Sequence, residues 1–304
     1  MLASLLVVLP VFGLIALGYV ARWTRLVRET TGEGLSDFVF VLAVPCLLFR
    51  TLARADIPDA QPWGYWIAYF TGLAIVWALA VLVARRLFAR RGPELVVAGF
   101  VAAQSNTVFV GIPMILKAYG EAGAVPLGLL LAVHLPVTMT AATLMAEGRA
   151  ASFALLAKRL FTNPIILGIL LGSAVRPFVA LMPTPAWTLI DLLAGAAVPC
   201  ALVSLGIGLR RYGLKSWRLP AVLTGLKLGI HPLIVYVLAT QVFQMPPHWS
   251  GVAVLFAACP CGVNAYLFAE RYRQGVADAS SAIALSTALS LFTTAAWLTW
   301  LGVG

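Results

Sequence analysis

Charge is scarce in this chain: only 11% of its 304 residues are Asp, Glu, Lys or Arg, and the acidic side chains number just 11. Water-soluble domains carry about twice that fraction of charge, so the scarcity excludes a soluble protein of this size. Long polar stretches are missing too, which leaves no room for a separate soluble domain. No H-E-x-x-H zinc pattern occurs, and the aspartates nearest the apolar runs, Asp37 and Asp191, stand at run starts. An intramembrane hydrolase needs its acids or zinc ligands at depth, so no enzymatic activity is expected. The four cysteines, Cys46, Cys200, Cys259 and Cys261, lie inside apolar segments. A loop-stapling disulfide framework has no purpose there. The first twenty residues lack a basic leader and a small-residue cleavage site, so they read as a retained helix and not a signal peptide.

Apolar residues make up 62% of the chain, and its mean hydropathy is +0.96. The bilayer is the solvent that suits such a composition. Ten runs near the required length of about 20 residues lie at 3–22, 35–53, 63–88, 94–118, 122–146, 162–182, 187–209, 217–242, 249–272 and 278–302. A net charge of +10 would suit nucleic acid if it formed one face, but the Lys and Arg residues sit in short clusters between these runs. They are topology signals instead. Sixteen of the 21 follow odd-numbered runs, including Arg149, Lys158, Arg159 and Lys215. Only Arg50, Arg54, Lys117 and Arg176 follow even-numbered ones, and Lys227 lies within the eighth run. Positive residues favour the cytoplasmic side, so ten spans with both termini outside are expected.

A shift of 154 lays Pro10 on Pro164, Gly18 on Gly172, Asp37 on Asp191 and Ala43-Val44-Pro45-Cys46 on Ala197-Val198-Pro199-Cys200. The chain thus reads as two repeats, 1–148 and 149–304. Each holds five spans, an odd number, so the second must enter the membrane from the opposite side, as in many secondary transporters. The fold class expected is an all-α membrane protein of two inverted five-helix repeats.

Such carriers hold substrate where helices are interrupted. The fourth run carries Gln104-Ser105-Asn106-Thr107 followed by Gly111-Ile112-Pro113, and the ninth carries Cys259-Pro260-Cys261-Gly262 followed by Asn264. Proline removes a backbone donor and glycine tolerates an unwound chain, so Gly111, Pro113, Pro260 and Gly262 mark two crossovers. Opened backbone in hydrocarbon survives only beside a hydrated or protein-lined cavity. The half-helix N-termini there carry partial positive charge, which suits an anion.

Asn106-Thr107 with Gly111-Ile112-Pro113 and Tyr119-Gly120 resembles the crossover pattern of the auxin efflux carrier family, which includes plant PIN-type carriers and bacterial malonate or malate permeases. Further matches are Phe38 with Ala43-Val44-Pro45, Asn163-Pro164, Ser204-Leu205-Gly206, and Pro260 with Gly262. The resemblance runs from about residue 5 to the C-terminus. It implies a fold like bile-acid symporters and sodium–proton antiporters, with helices one, two, six and seven as scaffold and the other six as a moving transport domain. It also implies elevator-type movement. The chain departs from plant members in having Ala265 where they have a crossover proline, and Phe70 and Ala74 where they carry an acid and a base.

Substrate contact is expected from Asn106, Gln104, Ser105 and Asn264, whose amides and hydroxyl suit a carboxylate. His134 is a protonatable neighbour, with His231 a weaker candidate. Val44, Cys46, Val198 and Cys200 would form the opposite wall. Lys227, about 13 Å into its helix at 1.5 Å per residue, is the candidate for ion or proton coupling. Asp37 and Asp191 read as helix-start residues that complement the dipole. Cys259-Pro260-Cys261 looks like the motif of soft-metal pumps, but no ATP-hydrolysing machinery accompanies it. No metal, cofactor or nucleic acid is expected; the partners are a small organic acid and the bilayer, with a homodimer left open. The function expected is transport of a small organic anion, the alternative being a ligand-binding sensor on the same scaffold.

Overall fold

The computed structural model describes residues 2–54, 63–147, 162–212, 214 and 216–303. The basic residues Arg149, Lys158, Arg159 and Lys215, and the boundary between 148 and 149, lie outside the described residues. Among the described residues every extended element is helical. In chain order they are α1 (Leu2–Trp23), α2 (Glu29–Ala53), α3 (Trp63–Leu87), α4 (Pro93–Ala103), α5 (Ile112–Tyr119), α6 (Ala124–Glu147), α7 (Pro164–Val175), α8 (Thr184–Leu209), α9 (Arg218–Val242), α10 (Pro247–Ala258), α11 (Val263–Tyr272) and α12 (Val276–Trp300). Seven continuous helical stretches are long and apolar enough to cross a membrane, and α4 and the Val8–Trp23 part of α1 are shorter apolar helices. Large apolar side chains such as Leu17, Leu171, Leu192 and Phe292 point outward, as a lipid-facing surface requires.

Proline shapes the helices from within. Turns of π-helix occupy Val39–Ala43, Thr107–Gly111 and Leu226–Ile230, and each runs into a segment with a proline in its first turn, Pro45, Pro113 or Pro232. A proline offers no N–H to the carbonyl one turn back, and the ladder slips to a wider register to keep its remaining bonds.

Helices α2 and α8 depart from the sequence expectation. The second helix begins at Glu29, not near 35, because Glu29 supplies the first-turn acid and Gly32 packs on Ile207 and gives its carbonyl to the Ser204 hydroxyl. Asp37 therefore lies two turns inside α2, and Asp191 lies two turns inside α8. Neither is a helix-start residue; Asp191 instead faces Arg50 and Arg54 of α2.

Helices α1, α2, α7 and α8 pack on one another, α1 on α8 and α2 on α7. The contacts repeat at the offset found in the sequence. A Cβ on Gly18 of α1 would fall on the carbonyl of Val203 in α8, and one on Gly172 of α7 would fall on the carbonyl of Phe49 in α2. Residues 18 and 172, and 49 and 203, are both separated by 154 positions. Backbones approach this closely only where a side chain is missing, which is how small residues bring membrane helices together. The remaining helices form a second group, with α3 on α4, α9 on α10, and α12 against α9, α10 and α11.

Candidate functional site

The site is built where two helices stop in mid-path. Helix α4 ends at Ala103, and Gln104 to Asn106 run extended before the π turn that leads into α5. Helix α10 ends at Ala258, and Cys259 to Gly262 run extended before α11. The two extended pieces cross as a minimal antiparallel bridge between Ser105 and Cys261. Asn106 N–H donates to the Pro260 carbonyl (2.8 Å) and Gly262 N–H donates to the Gln104 carbonyl (2.9 Å). Backbone groups freed by the breaks thus satisfy each other, which buried backbone must do. Gly262 is dictated by this crossing: a Cβ there would come within 2.9 Å of Gln104 Cγ and of the Ser105 carbonyl oxygen.

A cavity of about 240 Å³ opens beside the bridge. Its crossover wall is Gln104 through Phe109 together with Gly262, Val263, Asn264 and Leu267. Leu131, Leu135 and Pro136 of α6 contribute apolar surface. The facing wall comes from α2 and α7: Ser36, Asp37, Phe40, Asn163, Ile165 and Ile166. Asn163 caps α7, its Oδ1 accepting from Ile165 N–H at 2.9 Å. The first turn of α11 opens onto the cavity at Val263 and Asn264, so N–H groups without intrahelical acceptors and the positive end of the helix dipole face the same space.

Within this frame Asn106 is unusual. The residue is 4% exposed and its Nδ2 is buried with no hydrogen-bond partner, an arrangement that costs about 1–3 kcal/mol unless a ligand fills it. Gln104 is held from the other side, its Oε1 accepting from the Thr138 hydroxyl at 2.7 Å.

A polar chain supports the bridge from behind. His134 Nε2 accepts from Ser105 N–H (3.4 Å), which places the ring proton on Nδ1, 2.8 Å from the Tyr69 hydroxyl. Lys227 is fully buried; its Nζ donates to Ser105 Oγ (2.7 Å) and to the Ala257 carbonyl and lies 3.1 Å from His231 Nδ1. Among the described residues no carboxylate pairs with it. The Ala257 carbonyl belongs to the last turn of α10, so the ammonium sits at the negative end of a half-helix and is hydrogen-bonded to the other crossover at once. Cys261 N–H is taken up by Ser286 Oγ of α12 (3.0 Å).

Of the residues singled out from the sequence, Gln104, Ser105, Asn106, Gly262 and Asn264 meet at the cavity, whereas His134 and Lys227 lie behind Ser105 and do not line it. Pro260 supplies a bridge carbonyl; Gly111 packs on Cys259 Sγ, and Pro113 lies in the first turn of α5, beyond the break. The Val-Pro-Cys pair is elsewhere. Val44 is buried in the core, Cys46 is half-buried, and Val198 and Cys200 pack on the core from α8; none of the four lines the cavity. Their place is taken by Ser36 and Asp37, with Phe40 one turn further along α2, a spacing that marks one helix face. Among the described residues no cluster of His, Cys, Asp and Glu could hold a metal.

Comparison with known proteins follows the same line. A protein of Rhizobium meliloti (strain 1021) named "Putative malonate transporter" is 34% identical over 301 residues, covering 94% of this chain and 92% of that one. An "Uncharacterized transporter" of Methanothermobacter thermautotrophicus is 30% identical over 300 residues, covering 95% and 96%. The "Lysosomal cholesterol signaling protein" of Mus musculus is 24% identical over 324 residues, covering 95% of this chain and 37% of that protein. The sequence profile of the family described as "Membrane transport protein" matches residues 4–298, and the multi-helical chain, with its interrupted helices crossing beside a cavity, belongs to that family.

Proposed function

We propose that the chain is a secondary or facilitative carrier that moves a small organic anion, a carboxylate of malonate's class, across the cytoplasmic membrane. The observation that carries this reading is the unpartnered, buried Asn106 Nδ2 at the crossover, beside a cavity that also receives Gln104, Asn264 and the first turn of α11. Every one of these presents donors, and donors are what a carboxylate recruits. The volume, about 240 Å³, suits a small acid, and the name of the R. meliloti relative points to the same class.

The ten helical paths are ten spans in this reading, α4 with α5 and α10 with α11 each making one, and both termini face outward. The two halves, 1–148 and 149–304, are inverted repeats, a view supported by the matching Gly18–Val203 and Gly172–Phe49 contacts. Helices α1, α2, α7 and α8 form the scaffold, and the others carry the crossovers past it in an elevator-type cycle of alternating access. The cavity lies between the two groups, as a site shuttled along a fixed wall must. Lys227 fixes both crossovers and is the candidate for coupling to protons.

Purified protein in liposomes is expected to accumulate radiolabelled malonate, and Asn106→Ala to abolish uptake at low substrate; no wild-type uptake of any small organic acid would end the reading. Uptake with and without an imposed pH gradient tests the coupling, and equal rates under both would discard it. A sensor that binds without flux is the second reading, motivated by the name of the mouse relative. Binding to purified protein with no flux in liposomes would favour it.

A further inference from the structure

A second cavity of about 630 Å³ lies at the other end of α2. Leu47, Arg50, Thr51 and Arg54 form one wall, the turn joining α5 to α6 and the start of α6 form another, and His248 and Trp249 of α10 close it. Both cavities are lined by α2. Asp37 and Phe40 face the crossover cavity and Leu47, Thr51 and Arg54 face the outer one, each set in three- or four-residue steps, with the π turn Val39–Ala43 beginning the stretch between them. Between the two the seam is shut by Ala43 and Val44, both almost fully buried, and by Phe40 edge-on to Phe109 at 5.4 Å. Helix α6 runs along the same seam, lining the crossover cavity with Leu131 and Leu135 and the outer one with Val125 and Pro126.

Charge separates the two ends. Among the described residues the crossover cavity has one acidic lining residue, Asp37, and no basic one, whereas the outer cavity holds two guanidiniums and an imidazole against one carboxylate, Glu121. The guanidiniums are only loosely satisfied. A single oxygen, Asp191 Oδ1, serves both Arg50 (3.4 Å) and Arg54 (3.8 Å), and Arg54 rests over the Trp187 ring at 4.3 Å. Asp191 itself is not part of the cavity lining. In the proposed topology only four basic residues belong to this side, so two of them meeting in one cavity is a local concentration of positive charge.

We infer that the Arg50–Arg54 cavity is a second anion site, which takes a small dicarboxylate on the outer face and delivers it to, or receives it from, the α2–α6 seam. This rests on the orientation and the substrate class proposed above. One carboxylate replaces the long shared contact with Asp191, and the second reaches the other guanidinium, one helical turn away. A monocarboxylate can only stand between the two as Asp191 Oδ1 does, whereas a dicarboxylate gives each guanidinium a carboxylate of its own. The site is occupied while the seam is closed, and it raises the local concentration of anion where the crossovers arrive when the transport domain moves.

Thr51 lines the cavity, so a cysteine placed there reports occupancy independently of transport. Thr51→Cys protein in detergent is labelled with a membrane-impermeant methanethiosulfonate, and the parent chain labelled in parallel supplies the background of its four native cysteines. Malonate is expected to slow labelling at lower concentrations than acetate. Adding Arg50→Gln with Arg54→Gln weakens that protection by about tenfold, the loss of two charge-assisted contacts. The Lys pair at the same positions keeps charge without the fork and falls between, while Asn106→Ala leaves protection intact. Labelling unaffected by malonate, malate and acetate alike overturns the inference, as does protection that survives the double Gln change or vanishes in Asn106→Ala. Protection without liposome uptake would leave this site standing and remove the carrier reading; uptake without protection does the reverse.

Discussion

Asn106 and Asp37 face each other across the crossover cavity with opposite consequences for an anion. The Asn106 backbone is already committed to Pro260, so truncating its side chain leaves the bridge in place. Asn106→Ala is therefore expected to keep the thermal unfolding midpoint and to weaken malonate binding by one hydrogen bond to a charged group, about 1.5–3 kcal/mol. Isothermal titration on the purified protein reads both the loss and its size. Asp37 is the one acidic residue of the lining among the described residues, and its side chain is exposed. Asp37→Asn is expected to tighten binding by about threefold at low ionic strength and by less at high salt, as screened repulsion predicts. Weaker binding in that variant would mean that the carboxylate carries a coupling cation or proton.

At the scale of elements, the crossing depends on one hydrogen atom's width. Gly262→Ala forces a methyl against Gln104 and the Ser105 carbonyl, and overpacking of this kind costs about 1–3 kcal/mol, so the unfolding midpoint should fall and uptake should stop. Gly195, in α8, has nothing within 4 Å of its missing Cβ, and Gly195→Ala is expected to leave the midpoint unchanged or raise it by the helix preference of up to about 1 kcal/mol. The helices themselves were legible: apolar runs of bilayer length mark them, and runs four and nine carry the polar and imino residues of the breaks. The break in the first crossover falls at Gln104–Asn106 and not at Pro113, because the proline widens the ladder behind it into a π turn and does not end the helix there. Sequence also misplaces Asp37 and Asp191, since Glu29 to Gly34 are polar enough to look like a loop yet are held as helix by Ser204 and Ile207 from α8. The pairing of Asp191 with Arg50, and of Lys227 with the carbonyl end of α10, spans 141 and 30 positions, a separation that no local pattern encodes. Val44-Pro45-Cys46 drew attention by its repetition. The first copy of the tetrapeptide serves the core and the packing of α2 on α7, where Gly168 meets the Pro45 carbonyl.

For the whole molecule, the proposed elevator cycle requires the two groups of helices to slide. Tyr212, just after α8, and Tyr266 of α11 belong to different groups, with ring centroids 5.2 Å apart and Arg211 over the Tyr266 ring at 5.6 Å. Tyr212→Cys with Tyr266→Cys, bridged by a short bifunctional thiol reagent, is expected to halt malonate uptake, with reductant restoring it. The same treatment of Tyr236→Cys with Trp300→Cys, two rings 5.9 Å apart within one group, should leave uptake unchanged. Full uptake in the first bridged variant would rule out relative movement of the groups at that place.

The glycine contacts of the scaffold carry a consequence for how such a chain could have arisen. Helix α1 meets α8 at Gly18, and α7 meets α2 at Gly172, so both close approaches tie one half of the chain to the other. A polypeptide of half the length would leave bare the strip where its first helix has given up side chains. To cover it, such a chain must recruit a twin, and fusing the two genes removes the need for them to find each other.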